Sequence, residues 1–349
     1  MTQMTNFPTW VAAVFRACLT TVFFWQGRRI FRALPVVLLP ALIAAAHGAA
    51  QPYPAKPIRL VVPYPAGSGT DTIARSIGLK LAESMDATVV VDNRPGGASI
   101  IGLDLVAKAS PDGYTVLVAA PSLTIAPALQ DKLPFNALTD FAPVMRVTSA
   151  PLVLIVTPSI AVSTVKEFVA LARAKPGYLN FASGGIGGSI HMGMELLNSM
   201  AGIKVTHVAY KGSPQALVDL IAGQIHSMTN IIASSLPHIA QGRVKALGVT
   251  GPSRISVLPT VPTIAEAGVA GYEVLQWHGL LVPAKTPQDI IRRLEKEVRQ
   301  IMSVASVKGT LSAQGFDPAA DGPAEFAALL KTEVAKWTKV VRDTGARPN

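Results

Sequence analysis

Cysteine is nearly absent: Cys18 is the single one in 349 residues. That excludes a disulfide framework within one chain, and with it any cysteine-built metal site. Dense Lys/Arg runs are also missing. The formal net charge is +10, but residues 1–50 hold four arginines and no Asp or Glu. The remainder has 27 basic and 21 acidic residues, a net of +6 spread along the chain. Such a spread offers no stripe for nucleic acid. Charged residues make up 15% and apolar ones 50%, so a sizeable core can form and chain-wide disorder is excluded. The length suggests two domains at about 100–200 residues each. Several catalytic signatures are missing too: there is no G-x-S-x-G elbow, no H-E-x-x-H and no Walker lysine after a glycine loop.

The first 50 residues look like an export leader. Arg28-Arg29-Ile30-Phe31-Arg32 precedes an uncharged apolar run at 33–46, then the small-residue stretch Gly48-Ala49-Ala50. The apolar run has 14 residues, short of the roughly 20 a membrane span needs. The expectation is a cleavable signal over 1–50 that sends residues 51–349 to the periplasm. The paired arginines fit twin-arginine export, and Sec export remains open.

Beyond the leader, strands and helices alternate. Residues 58–62 form an apolar run ending at Pro63, which predicts a buried strand. Ile73, Ile77 and Leu81, spaced by four, predict a helix from Asp71. Further strands are expected at 88–91 and 114–119, with a helix through Ile101, Leu105 and Val106 between them. This β-α-β-α-β order implies a parallel sheet covered on both faces. A second unit starts near Pro151, with strands at 152–156, 179–182, 205–208, 224–228 and 244–249. Thr164 and Glu167 form a capping box for one of its helices. Thr286-Pro287 opens a tail helix, with Thr286 as N-cap, and a last helix runs from Pro323 to about Asp343. Packing the tail on the first unit would make that unit discontinuous, with two chain crossings between halves.

Two glycine-rich loops carry the chemistry. Each follows a strand and opens a helix: Pro65-Ala66-Gly67-Ser68-Gly69-Thr70-Asp71, and Ser183-Gly184-Gly185-Ile186-Gly187-Gly188-Ser189-Ile190-His191. Backbone N–H groups at a helix N-terminus bind carboxylate or phosphate. Neither loop has the third glycine of G-x-G-x-x-G, so neither is a nucleotide fingerprint. One loop per half suggests a ligand gripped between them, with no fixed cation. His191 and Glu195 share a helix face at metal-ligand spacing, but a satisfied structural histidine is the stronger reading, and no metal or cofactor is expected. His226 reads equally as an anion contact or a surface strand residue. Asp71 would repel a carboxylate directly. It is expected to organise its loop through backbone N–H bonds instead.

A set of segments in order carries a family resemblance. These are Val62-Pro63-Tyr64-Pro65-Ala66-Gly67-Ser68-Gly69-Thr70-Asp71, Asn93-Arg94-Pro95-Gly96-Gly97, Ala109-Ser110-Pro111-Asp112-Gly113-Tyr114, His207-Val208-Ala209-Tyr210-Lys211-Gly212-Ser213 and Leu258-Pro259-Thr260-Val261-Pro262-Thr263. Over residues 53–345 the chain resembles the substrate-binding receptors of tripartite tricarboxylate transporters, the Bug receptors. The resemblance implies an α/β, two-lobed type II periplasmic-binding-protein fold, each lobe a mainly parallel sheet flanked by helices, with the ligand cleft between the lobes. The lobes would comprise residues 51–152 with 273–349, and residues 153–272. It implies no catalytic residue. The ligand would be a small carboxylate, the partners the membrane subunits of such a transporter, and the receptor a monomer. By position, Tyr64, Ala66, Gly67, Ser68 and Asp71 would form the first-lobe half of the site, with Ser122 facing the cleft. Ser183, Gly187, Gly188, Ser189 and His191 would form the second half, with Tyr210 and Asn230 near the ligand's distal end. Two other classes stay open: a sensing adaptor that engages a membrane sensor protein, and a secreted hydrolase using His191 with Ser189 or Glu195.

Overall fold

The computed structural model describes residues 53–313 and 315–346, so the leader at 1–50, with Cys18, lies outside the described residues. Ten strands form one curled sheet. Strands β1 (Ile58–Val62), β2 (Val89–Asn93) and β3 (Thr115–Ala119) pair in parallel in the order β2-β1-β3. Their linkers carry helices α1 (Gly69–Met85) and α2 (Ile100–Ala107), as the β-α-β-α-β reading required. Helix α1 buries Ile73, Ile77 and Leu81 in the core beside β1. Each such side chain contributes about 1.5–3 kcal/mol by leaving water. Helix α2 turns a different face inward: Leu103 and Val106 are buried, whereas Ile101 is 56% exposed.

After helix α3 (Ser122–Leu129), strand β4 runs for 16 residues, Phe141–Val156. The sequence pattern predicts only its last five residues as strand. Pro143 lacks a ladder donor and argues against strand, but the register shifts between Pro143 and Met145, and a bulge accommodates it. Strand β4 is shared by both halves of the sheet. Its first part pairs antiparallel with β9 (Leu275–Pro283) and with β10 (Asp317–Asp321). Its last part pairs antiparallel with β7 (Ser227–Ile231) and β8 (Lys245–Val249). Strands β5 (Asn180–Ser183) and β6 (Thr206–Ala209) extend the second half in parallel to β7. The outer strands of each half are therefore parallel, and the antiparallel pairs all involve β4 or β9.

The second half carries α4 (Val165–Ala174), α5 (Ser189–Ala201), α6 (Ser213–Ile221) and α7 (Ile232–Ala240). The Thr164 hydroxyl accepts from Glu167 N at 3.1 Å, and the Glu167 carboxylate accepts from Ser163 N at 2.6 Å, so the capping box is present one residue wide of its usual form. The tail adds α8 (Gln288–Ser303), α9 (Ala305–Ala313) and α10 (Pro323–Thr344). Pro287, not Thr286, is the cap of α8; the Thr286 hydroxyl donates to Pro283 O at 2.7 Å. Helix α10 serves both halves. Phe326 and Leu330 lie in a cluster with Val61, Leu117 and Leu281, whereas Trp337, Val340 and Val341 lie in one with Met194, Leu196 and Leu197 of α5. Among the described residues no helix is long and apolar enough to cross a membrane.

Candidate functional site

Both glycine loops leave their strands at the carboxyl end and enter helices, and both border one cavity of about 880 Å³. The first half supplies Tyr64, Gly69 and Thr70, with Ser99 and Ser122. The second half supplies residues 184–190, Lys211, Ser213 and Ile231. Gln276 and His278 of β9 and Phe316 complete it. Among the described residues no Asp or Glu lines it. A smaller cavity of about 330 Å³, under Pro127, Leu133, Phe135 and Val334, touches neither loop.

The first loop is built around Asp71, which is 3% exposed. Its carboxylate accepts from Gly67 N at 2.8 Å, Asn93 Nδ2 at 3.0 Å and Arg75 Nε at 3.0 Å. Ser68 caps α1 by accepting from Asp71 N at 3.2 Å. Gly67 has φ +81°, a left-handed turn that favours glycine and aims its N–H back at Asp71. Burial pushes the Asp71 pKa up, but the donors from Arg75, Gly67 and Asn93 outweigh it and hold the carboxyl below its usual range. The Gly67 amide is thus spent on the loop. The N–H groups of Gly69 and Thr70, in the first turn of α1, have no partner among the described residues, and both residues line the cavity. Beside them the Tyr64 hydroxyl and Ser122 Oγ share a hydrogen bond of 2.5 Å.

The second loop follows the same economy. Gly187 N donates to His191 Nδ1 at 3.3 Å, and Gly185 N to Ser183 Oγ at 3.3 Å. Ser183 Oγ also meets His207 Nε2 at 2.7 Å. The His191 ring lies tilted against that of His207 with centroids 4.0 Å apart and 34° between the planes, and its Nε2 stands 3.7 Å from Glu195 Oε1. Burial, then the neighbouring His207, lowers the His191 pKa to about 3, so this histidine is a neutral acceptor that shapes the loop. Among the described residues no cluster of three or more metal-ligating side chains occurs. The N–H groups of Gly188, at the N-cap, and of Ser189 and Ile190, in the first helical turn, have no partner among the described residues.

Of the residues singled out in the sequence, Tyr64, Ser122, Gly187, Gly188 and Ser189 line the cavity. Ala66, Gly67, Ser68 and Asp71 build the first loop behind it, and Ser183 and His191 the second. Tyr210 donates its phenol to Asp219 at 2.7 Å; burial and that carboxylate push it up to about 12. Asn230 lies one residue before the lining Ile231, its Nδ2 held by Ser235 Oγ at 3.0 Å and its buried Oδ1 without a partner. His226 belongs to strand pairing: its Nδ1 and backbone N both meet Asn180 Oδ1 at 2.8 Å.

Lys211, Gln276 and His278 are the side chains the sequence reading passed over. Gln276 and His278 are two apart on β9 and share a face. Ser189 Oγ donates to Gln276 Oε1. Gln276 Nε2 lies 3.4 Å from His278 Nε2, and His278 Nδ1 lies 2.8 Å from Thr148 Oγ1. Burial drops the His278 pKa to about 3, so this chain of four side chains is uncharged at neutral pH. The signal was present: polar residues at 276 and 278 flank Trp277 just before the apolar run 279–282. Gln276→Glu would put a carboxylate into an acid-free cavity. The expected result is a five- to twentyfold loss of affinity for any anionic ligand by calorimetry, with little change in unliganded melting temperature.

The model of the tripartite tricarboxylate transporter family receptor matches residues 73–346. The chain belongs to that family. A protein of the tcbD-tcbE intergenic region of Pseudomonas sp. strain P51 is 40% identical over 290 residues, covering 83% of this chain and 86% of that one. The solved structure of R. palustris Rpa4515 with adipate superposes with a TM-score of 0.75 at 33% identity, covering 85% of this chain and all of that one. MatC from Rhodopseudomonas palustris, with bound malate, gives 0.73 at 30% identity, covering 83% and 100%. The receptor accordingly has the α/β, two-lobed architecture of the periplasmic binding proteins it resembles.

Proposed function

We propose that this receptor works in the periplasm, captures a small organic carboxylate between two lobes and delivers it to the membrane subunits of a tripartite tricarboxylate-type transporter. The lobes would be residues 51–152 with 273–349, and residues 153–272. One observation carries the reading: two helix N-termini, with uncommitted amides at Gly69, Thr70, Ser189 and Ile190, border a single cavity that has no acidic side chain. Four N–H donors and two positive helix ends suit one carboxylate head group. The adipate and malate of the two solved relatives are of the same class. Asp71, His191 and Ser183 would hold the loops in place. Tyr64 and Ser122 would offer hydroxyls, and Tyr210 and Asn230 would back the distal wall. Closure by rotation of one lobe on the other would complete the donor set.

A thermal-shift panel of dicarboxylates, hydroxy acids and aromatic acids tests this. A ligand at one hundred times its Kd stabilises the folded state by about 2.7 kcal/mol, which corresponds to a rise of several degrees. At least one acid is expected to produce it, with one site per chain by calorimetry, while neutral sugars and amines produce none. No response to any acid would overturn the proposal.

A further inference from the structure

We infer that Lys211 makes this cleft selective for dianions, holding a second anionic group at the far end of a ligand whose first carboxylate sits on the helix amides. The inference rests on the receptor reading above and adds the residue that sets its substrate class.

The position of Lys211 is fixed by backbone contacts. Ser183 pairs with Ala209 in the β5–β6 ladder, and Tyr210 N donates to Ser183 O at 2.9 Å. That ties the chain at 210 to the root of the second glycine loop. Gly184 is packed against the next turn so closely that a Cβ on it would stand 2.6 Å from Ser213 N. Tyr210 directs its hydroxyl to Asp219, away from the cavity lining, and Lys211 is the next residue to reach the cavity.

Charge decides what Lys211 can do there. Among the described residues it is the only Lys or Arg that lines the cavity, and none of the lining residues is acidic. Among the described residues it forms no ion pair. Asp219, the carboxylate fixed beside this segment, is engaged by Tyr210 instead. Lys211 is exposed, and a ligand held against it would displace part of the water that screens its ammonium, which strengthens the attraction to an anion.

The cavity's size and walls fit the same ligand. About 880 Å³ is far more than a carboxylate head group fills, and Ile186, Ile190, Ile231 and Phe316 present hydrocarbon within it. An apolar spacer with an anion at each end matches this lining. A monoacid would satisfy the amides and leave Lys211 to water.

The test uses calorimetry on the purified protein with matched pairs: succinate and butyrate, adipate and hexanoate, suberate and octanoate, terephthalate and benzoate. At least one diacid is expected to bind ten times more tightly than its monoacid. In Lys211→Met that ratio is expected to fall at least fivefold, while Lys211→Arg keeps most of it. The diacid's affinity is expected to drop more steeply between 20 and 500 mM salt in the parent than in Lys211→Met. Circular dichroism of the unliganded variants checks folding. Equal binding of diacid and monoacid, or a preference that survives Lys211→Met, would overturn this inference and leave the receptor reading intact. Failure of every acid in the panel would remove the receptor reading and this one with it.

Discussion

Gly184→Ala is expected to abolish high-affinity binding. The added methyl would meet the backbone nitrogen and the hydroxyl of Ser213, each at 2.6 Å, and a backbone atom cannot rotate aside. Either the second glycine loop lifts from the Lys211–Ser213 turn or α6 shifts at its first residue. Overpacking of this kind costs about 1–3 kcal/mol in stability. The larger effect falls on the ligand, since the loop carries the amides of Ser189 and Ile190 and the turn carries Lys211. Displacements of about 1 Å in a preorganised site cost one to two orders of magnitude. A hundredfold rise in Kd is expected by calorimetry, with the fold retained. Binding within threefold of the parent would mean that the close packing of loop on turn does not assemble the site.

Asp71→Ala has the second largest effect, and it acts on folding and binding together. Removing the carboxylate takes the acceptor from the Gly67 N–H, leaves the half-buried Asn93 amide with Tyr64 O alone at 3.1 Å, and frees the Arg75 guanidinium. Hydrogen bonds to a charged group contribute about 1.5–3 kcal/mol and solvent weakens half-buried ones, so a loss of about 1–3 kcal/mol is expected in urea denaturation at pH 7. The loop then loses its left-handed turn at Gly67, and Kd is expected to rise at least thirtyfold. The pH dependence carries a definite sign. The Asp71 pKa is depressed in the folded state, so its contribution is fully present above the unfolded value of about 4 and fades as pH falls through the folded value. Asp71→Asn, which keeps the shape but cannot accept from all three donors, should therefore differ most from the parent at pH 7 and least near pH 3. A constant difference across that range would show that the charge of Asp71 does not organise the loop.

The parts of the fold legible in the sequence were those in which one local signal met no opposition. Ile73, Ile77 and Leu81 at steps of four marked α1, and the apolar run 58–62 marked β1. The glycine loops declared themselves by composition. Proline hid other elements. Helices α3 and α7 contain Pro127 and Pro237, and a proline inside a helical pattern reads as a break. Strand β4 carries Pro143 and Pro151, and β9 went unread. Strand β9 pairs along its whole length with residues 141–151 of β4, 124 to 142 residues apart in sequence, a partnership no local pattern announces.

The site shows a similar shift. The sequence pattern locates the two loops and offers Gly67, Ser68, Gly187, Gly188 and Ser189 among their ligand contacts. The amides of Gly67 and Gly187 turn inward to Asp71 and His191. The uncommitted donors lie two residues further on, because a helix leaves its first-turn N–H groups unpaired whatever the loop before it does. The same motif holds Tyr210, which the resemblance places near the ligand, and Lys211 beside it. Only the hydrogen bond to Asp219 distinguishes which of the two neighbours faces the cavity.

Helix α10 bears on how such a receptor could be tuned. With Phe326 and Leu330 seated in one half and Trp337 and Val341 in the other, it acts as a brace behind the paired ribbon of β4 and β9. Any swing between the halves must twist that ribbon and slide the far end of the brace over α5. If the proposed closure operates, the balance between gaping and shut forms would be set partly on the back of the molecule, where substitutions around Trp337 would adjust the grip on a solute without touching a single atom that meets it.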